Sequence, residues 1–333
     1  MNCFMNRLMN RRRAVVLAGI AAASLAGAAA LAQDASQFPV RNVFIVVPNA
    51  AGGGLDFFAR LIGQKLSDRL GRPVVVENRP GANGNLAAGQ VTKAAADGHT
   101  LLLGSIGMLT VNPAVVPALT YDTQRDFAPI SMIAKFPLVL AVNAKAPVKT
   151  VQELVAYAKA NPEKANAAAS GPIFQVVQKM FEQRTGTKFE YIAFRANSEA
   201  MLALMRGDAL MSLSDVGPAM GPLQDGRVRA LAVTSPRRLA SLPDVPTMAE
   251  AGFKDMEVEF WTGLLAPAKT PPAIVKRLQD EIMAIVKLPD VVEKLASHQT
   301  YPAGNTSEEF AKIIARELVQ WGEVAKKGNI KIQ

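Results

Sequence analysis

Val43-Phe44-Ile45-Val46-Val47-Pro48-Asn49-Ala50-Ala51-Gly52-Gly53-Gly54-Leu55-Asp56-Phe57-Phe58 is the stretch whose reading decides the fold. Its opening apolar run has no polar break, as in a strand buried on both faces. After a glycine-rich loop, Phe57, Phe58, Leu61, Ile62, Leu66 and Leu70 recur at helical spacing until Gly71 and Pro73 stop the helix. Glycines just ahead of a helix let the backbone approach a ligand and expose N–H groups at the positive end of the helix dipole. The loop therefore reads either as a bare tight turn or as a seat for a carboxylate or phosphate that needs no basic side chain. Val74-Val75-Val76 then leads into a second glycine-containing loop over residues 79–85.

Outward from this unit, apolar β runs alternate with helical patterns, which predicts an α/β fold with mostly parallel sheets. Further strands are predicted at 100–103, 138–142, 189–194, 209–213, 228–233 and 257–265, with a small-residue helix over 87–96. Thr150 with Glu153 forms a capping box for a helix over 151–160, and the same pairing recurs at Thr247 with Glu250 and at Thr306 with Glu309. Thr270-Pro271 is placed to cap the helix that follows it. The chain is longer than one ordinary domain, yet no linker marks a boundary. Two lobes between which the chain passes more than once suit that combination.

Arg7 and Arg11-Arg12-Arg13 precede an uncharged run over 14–32 that closes on Ala30-Leu31-Ala32, the layout of an export signal cleaved after Ala32. An uncleaved anchor helix is the competing reading of the same run. The alanine content and the small-x-small triplet favour removal. Arg12-Arg13 raises the twin-arginine route without its usual flanking residues, so the route stays open between that and general secretion. Cleavage leaves 301 of the 333 residues, and losing four arginines lowers the net charge from +9 to +5.

The remaining lysines and arginines are scattered, with no basic block interleaved with aromatics, which argues against nucleic acid as a partner. Cys3, the single cysteine, falls in the signal, and the two histidines, His99 and His298, stand far apart. Neither a disulfide, a cysteine nucleophile nor a zinc site is expected. No cofactor is expected either. The first helix opens without G-x-G-x-x-G, the chain has no G-x-x-x-x-G-K-[ST], and no set of acid, base and nucleophile stands out.

Val76-Glu77-Asn78-Arg79-Pro80-Gly81-Ala82-Asn83-Gly84 resembles the V-E-N-R-P-G-A-x-G signature of the tripartite tricarboxylate transporter receptors, the Bug proteins. Asp97-Gly98-His99-Thr100-Leu101-Leu102, Asp126-Phe127-Ala128-Pro129-Ile130, Leu242-Pro243-Asp244-Val245-Pro246-Thr247 and Trp261-Thr262-Gly263-Leu264-Leu265-Ala266-Pro267 agree as well, in the family's order. The resemblance implies a two-lobed periplasmic-binding-protein fold of the Venus flytrap, type II form. It implies a monomeric periplasmic receptor, not an enzyme, that closes on a small organic carboxylate and presents it to the permease subunits of a tripartite membrane transporter. One lobe would comprise 38–142 plus 260–333 and the other 143–259, with crossings near Val142 and Glu259. The alternative uses of such a chain are a ligand sensor signalling to a membrane histidine kinase and, further off, a nucleotide-using enzyme.

The same resemblance assigns ligand contacts residue by residue. On the first lobe these are Asn49, Ala50, Ala51, Gly52, Gly53 and Asp56, with the loop after the next strand at Ser105. Asn49 stands where an aromatic residue is usual and Leu55 where a smaller one is common. On the second lobe the matching positions are Ser170, Gly171, Arg195, Ser214 and Asp215, and here the departures are greater, with Pro172 in place of a serine. Asp56 also reads as a helix cap or a partner of loop amides. Arg195 reads as a partner for a second carboxylate or as a solvated arginine. Asp215 reads as a helix cap or as an acceptor for a ligand ammonium or hydroxyl. Glu77-Asn78-Arg79-Pro80 is expected to lock a loop, and Phe174 and Trp261 to be core.

Overall fold

The computed structural model describes residues 37–194 and 196–330. The export signal, its cleavage site after Ala32 and Arg195 lie outside the described residues. β1 (Val43–Val47) leads through the glycine loop into α1 (Gly54–Leu70), β2 (Val74–Asn78), α2 (Asn85–Thr92) and β3 (Thr100–Ser105). Short helices α3 (Asn112–Val115) and α4 (Thr123–Asp126) precede the long strand β4 (Phe127–Asn143). Next come α5 (Val151–Ala160), β5 (Asn166–Ser170), α6 (Gly171–Thr185), β6 (Glu190–Phe194), α7 (Asn197–Arg206), β7 (Met211–Asp215), α8 (Val216–Gln224) and β8 (Val228–Val233). The chain closes with β9 (Glu259–Pro267), α9 (Pro272–Ile285), α10 (Pro289–Ser297), β10 (Tyr301–Pro302) and α11 (Ser307–Gly328).

This is the α/β architecture that the alternating pattern predicts. β2, β1 and β3 are parallel neighbours, and so are β6, β5 and β7. Helices cover both faces, which explains the unbroken apolar runs. Ile45, Leu101 and Leu103 pack with Phe58, Ile62 and Leu278 of α1 and α9. Val46 and Leu102 point the other way, into the layer that holds Ala87 and Val91 of α2 and Trp321 of α11. Each such side chain contributes roughly 1.5–3 kcal/mol on burial. α1 stops where expected, on Gly71 at φ 65°.

Two long antiparallel strands tie the two groups together. β4 pairs with β9 from Phe127↔Pro267 to Pro137↔Glu259, and β9 lies in turn against β3. At Leu138 the partners of β4 change to β7, starting at Asp215, and to β8. The exchange falls between Pro137 and Leu138, upstream of the Val142 expected from the sequence. Pro137 has no N–H with which to continue the ladder. Leu138 N–H donates instead to Thr234 Oγ1 at 2.9 Å.

Two of the predicted caps behave differently. Thr306 and Glu309 form the full reciprocal box at the start of α11. Thr247 and Glu250 make the same pair of bonds, at 3.1 and 2.8 Å, but close a turn with no helix behind it. Gly252 at φ 86° sends the chain away before a helical turn can propagate. Thr270 leaves its hydroxyl buried without a partner, and Pro271 itself is the N-cap of α9.

Candidate ligand site between the two sheets

The glycine loop is held from within. Asp56 is 4% exposed, and its carboxylate accepts from Gly52 N–H at 2.9 Å, Arg60 Nε at 2.8 Å and Asn78 Nδ2 at 3.0 Å. The Arg60 hydrogen bond, helped by those from Gly52 and Asn78, outweighs burial and holds the carboxyl down at about 2. Asn78 Nδ2 also donates to Asn49 carbonyl at 3.0 Å, so the signature residue straps the loop to the end of β2. Glu77 in the same run accepts from Gln90 Nε2 at 2.8 Å.

This wiring changes which backbone groups face the ligand side. Gly52 N–H goes to Asp56 and Gly53 N–H to Ala50 carbonyl at 3.3 Å. Neither glycine lines the cleft, and nor do Ala50, Ala51 and Asp56. Asn49, Gly54 and Leu55 do. Gly54 and Leu55 form the first turn of α1, which has no side-chain cap, so the anion-ready N–H groups lie one step further along than the sequence suggests. Ser105, at the end of β3, lines the cleft beside Gly107.

On the other wall Asp215 ends β7 and lines the cleft, while Ser214 points the opposite way, fully buried with its hydroxyl unpartnered. Strand alternation makes that division unavoidable. Asp215 Oδ2 accepts from Asn197 Nδ2 at 2.7 Å, and Asn197 Oδ1 accepts from Ser170 Oγ at 2.6 Å. Ser170 thus meets Asn197 and does not line the cleft. Gly171, at φ 74°, turns the chain into α6. Asp215 Oδ1 is buried without a partner, and burial pushes the carboxyl up to about 6 against the Asn197 hydrogen bond.

Between the walls lies a cleft of about 700 Å³. Six rings contribute to its lining and form a continuous file. His298 stacks on Phe57 at 3.8 Å between centroids, Phe57 meets Phe58 at 5.3 Å, and Phe58 meets Phe136 at 6.1 Å. Phe136 meets Phe260 edge-on at 6.0 Å, and Phe260 meets Phe174 at 5.2 Å. The file starts on the first sheet's helices, crosses on β4 and β9, and ends on α6.

Residues 58–330 match the family model described as tripartite tricarboxylate transporter family receptor. The chain belongs to this receptor family. It is 32% identical over 328 residues to BugT of Bordetella pertussis, covering 98% of this chain and 100% of that one. Among solved structures it is similar to R. palustris Rpa4515 with adipate, at 31% identity and TM-score 0.76, with 88% of this chain and 99% of that one covered. It is also similar to MatC from Rhodopseudomonas palustris with bound malate, at 31% identity and TM-score 0.73, covering 86% and 99%. The family consists of periplasmic solute-binding receptors.

In this Bug-family receptor the structure gathers Asn49, Ser105 and Asp215 around one cleft. Phe174 is 6% exposed yet lines the cleft, so its role is wider than the core placement expected of it. Trp261 is core as expected. Sequence reading missed Asn197, the remaining rings of the file, and the segment Ser297–Thr300, of which His298 is part. The adjacent Phe57-Phe58 pair directly after the glycine loop was the available signal for the rings. Asn197 and His298 carried none, since their contacts come from distant elements.

Proposed function

We propose that this chain is an exported solute-binding receptor that captures a small organic carboxylate and delivers it to a tripartite tricarboxylate-type membrane transporter. The observation that carries the reading is the uncapped start of α1 at Gly54 and Leu55, which opens on the cleft with the helix dipole behind it. The adipate- and malate-bound relatives support a carboxylate as the ligand. The two sheets form the cores of two lobes, in outline 38–142 with 260–333 and 143–259 but with the boundary on β4 moved up to Pro137–Leu138, and β4 and β9 are the connection about which they close. The receptor is a monomer that lies in the periplasm after removal of its signal.

Native mass spectrometry of the purified protein, followed by release and identification of any bound molecule, tests this directly. A carboxylate leaving at one per chain is the expected result. A protein stripped of ligand that shows no thermal stabilisation with any carboxylate in a broad panel sinks the proposal.

A further inference from the structure

We infer that the cleft takes an aromatic monocarboxylate with a hydrogen-bond donor at the far end of its ring, of the 4-hydroxybenzoate type. This rests on the carboxylate-receptor reading above and specifies its ligand.

Three features of the cleft lead there. The first is the file of six rings from His298 to Phe174, which presents ring faces and edges along the walls. Aromatic pairs in offset or edge-to-face geometry add to the gain from burial alone. A citrate-like ligand would press its carboxylates and hydroxyl against these rings, where nothing replaces the hydrogen bonds it gave to water. A planar ring meets them without that loss.

The second feature is charge. Among the described residues lining the cleft there is no lysine or arginine. One carboxylate is accommodated by the N–H groups of Gly54 and Leu55, a seat that carries about half a positive charge from the helix dipole, and the Ser105 hydroxyl lines the same cleft. A second carboxylate in the described cleft meets no cationic side chain of comparable strength.

The third feature is Asp215, on the wall opposite α1. Asp215 lines the cleft, its Oδ1 is buried with no hydrogen-bond partner among the described residues, and its Oδ2 is already bonded to Asn197. An unsatisfied carboxylate oxygen repels a second anion and accepts from a hydroxyl or amine. Carboxylate at one end, ring in the middle and donor at the other end is the ligand whose polarity matches all three.

The test is calorimetric titration of the purified receptor, stripped of ligand by unfolding and refolding and checked for folding by circular dichroism. The probes are 4-hydroxybenzoate, benzoate, benzene-1,4-dicarboxylate, succinate and citrate. We expect 4-hydroxybenzoate to bind about tenfold or more tighter than benzoate, the scale of one charge-assisted hydrogen bond. Benzoate in turn should bind more tightly than succinate and citrate. Asp215→Ala should bring the affinities for 4-hydroxybenzoate and benzoate to within about threefold of each other. Phe57→Leu, at a partly exposed ring, should narrow the ratio of benzoate to succinate.

A di- or tricarboxylate that binds tighter than 4-hydroxybenzoate overturns this inference and leaves the carboxylate-receptor reading standing. A folded receptor that binds none of the five overturns this inference, while the carboxylate-receptor reading falls only if the broad carboxylate panel also gives no stabilisation. An Asp215→Ala variant that still prefers 4-hydroxybenzoate over benzoate tenfold removes the donor from the argument.

Discussion

Trp261 donates its indole N–H to the carboxyl of Glu317, lying 3.0 Å from one oxygen and 2.9 Å from the other, in the buried layer between β9 and α11. Thr110 Oγ1 sits 3.2 Å from Glu317 Oε2 and donates to Ile106 carbonyl at 2.8 Å. Burial pushes the Glu317 carboxyl up to about 7, against the hydrogen bonds from Trp261 and Thr110 and the charges of Arg316 and Lys135. The single Thr110 proton is shared between the Ile106 carbonyl and Glu317 Oε2, and Trp261 donates to the same carboxyl.

The first prediction is a pH dependence of stability. Folded Glu317 keeps its proton at pH values where the unfolded chain, near 4.5, has released it. Its contribution is therefore complete below about 4.5 and disappears as pH rises through about 7, a change of roughly 3 kcal/mol. Asp215, raised to about 6, acts in the same direction. Asp56 gives the opposite limb. Its carboxyl is held at about 2, so its contribution is present above the ordinary value of 3.8 and is lost as pH falls toward 2. Thermal unfolding from pH 3 to 9 should peak on the acid side of neutrality. Glu317→Gln keeps both hydrogen bonds and should flatten the fall above pH 6; a curve parallel to the parent's rules out Glu317 as its source.

Asn78 supplies the second. Its amide bridges Asn49 carbonyl and Asp56 Oδ1, both at 3.0 Å, and so joins β2 to the glycine loop. Asn78→Ala should cost about 1–3 kcal/mol, the penalty for leaving such groups unpaired. It should also weaken carboxylate binding, because the start of α1 is no longer held in place. Urea unfolding and ligand titration measure the two effects separately. Loss of stability with unchanged affinity would mean that the loop keeps its shape without the strap.

Asn197 carries the third. It links Ser170 at the end of β5 to Asp215 at the end of β7, through bonds of 2.6 and 2.7 Å. Asn197→Ala removes the one contact among the described residues that lowers the Asp215 carboxyl, so that group should titrate at a higher pH still. Carbon-13 NMR of the Asp215 carboxyl reads the shift. An unchanged or lower titration point counts against the arrangement.

The fourth concerns Gly263, which faces Gly104 across β3 and β9. A methyl group added at Gly263 would lie 2.7 Å from the Phe310 ring and 2.8 Å from Ser131 carbonyl. Backbone on one side and a buried ring on the other leave no room to yield. Gly263→Ala should destabilise the protein by about 1–3 kcal/mol or more. Gly221→Ala, where the added methyl meets nothing within 4 Å, is the control that should stay close to the parent in the same thermal melt.

Local pattern carried the sequence reading a long way. β1, α1 with its glycine stop, α5 and β8 are legible because each follows from periodicity and capping within a few residues. The same local logic failed at Thr247, where the capping box is real but the chain turns away at Gly252. It also misjudged the loop, since the wish of Gly52 and Gly53 N–H groups for a ligand cannot be told from their wish for Asp56 and Ala50 without coordinates.

The sequence by itself determined the α/β architecture, the family signature and the presence of a glycine loop ahead of a helix, because these depend on neighbours a few residues apart. Only the tertiary structure decided where β4 changes sheets, which loop amides stay free, and that rings from α1, β4, α6, β9 and the segment after α10 form one file. Those facts depend on side chains up to about two hundred and forty residues apart meeting in space, as His298 and Phe57 do. No periodicity in the chain encodes such a meeting.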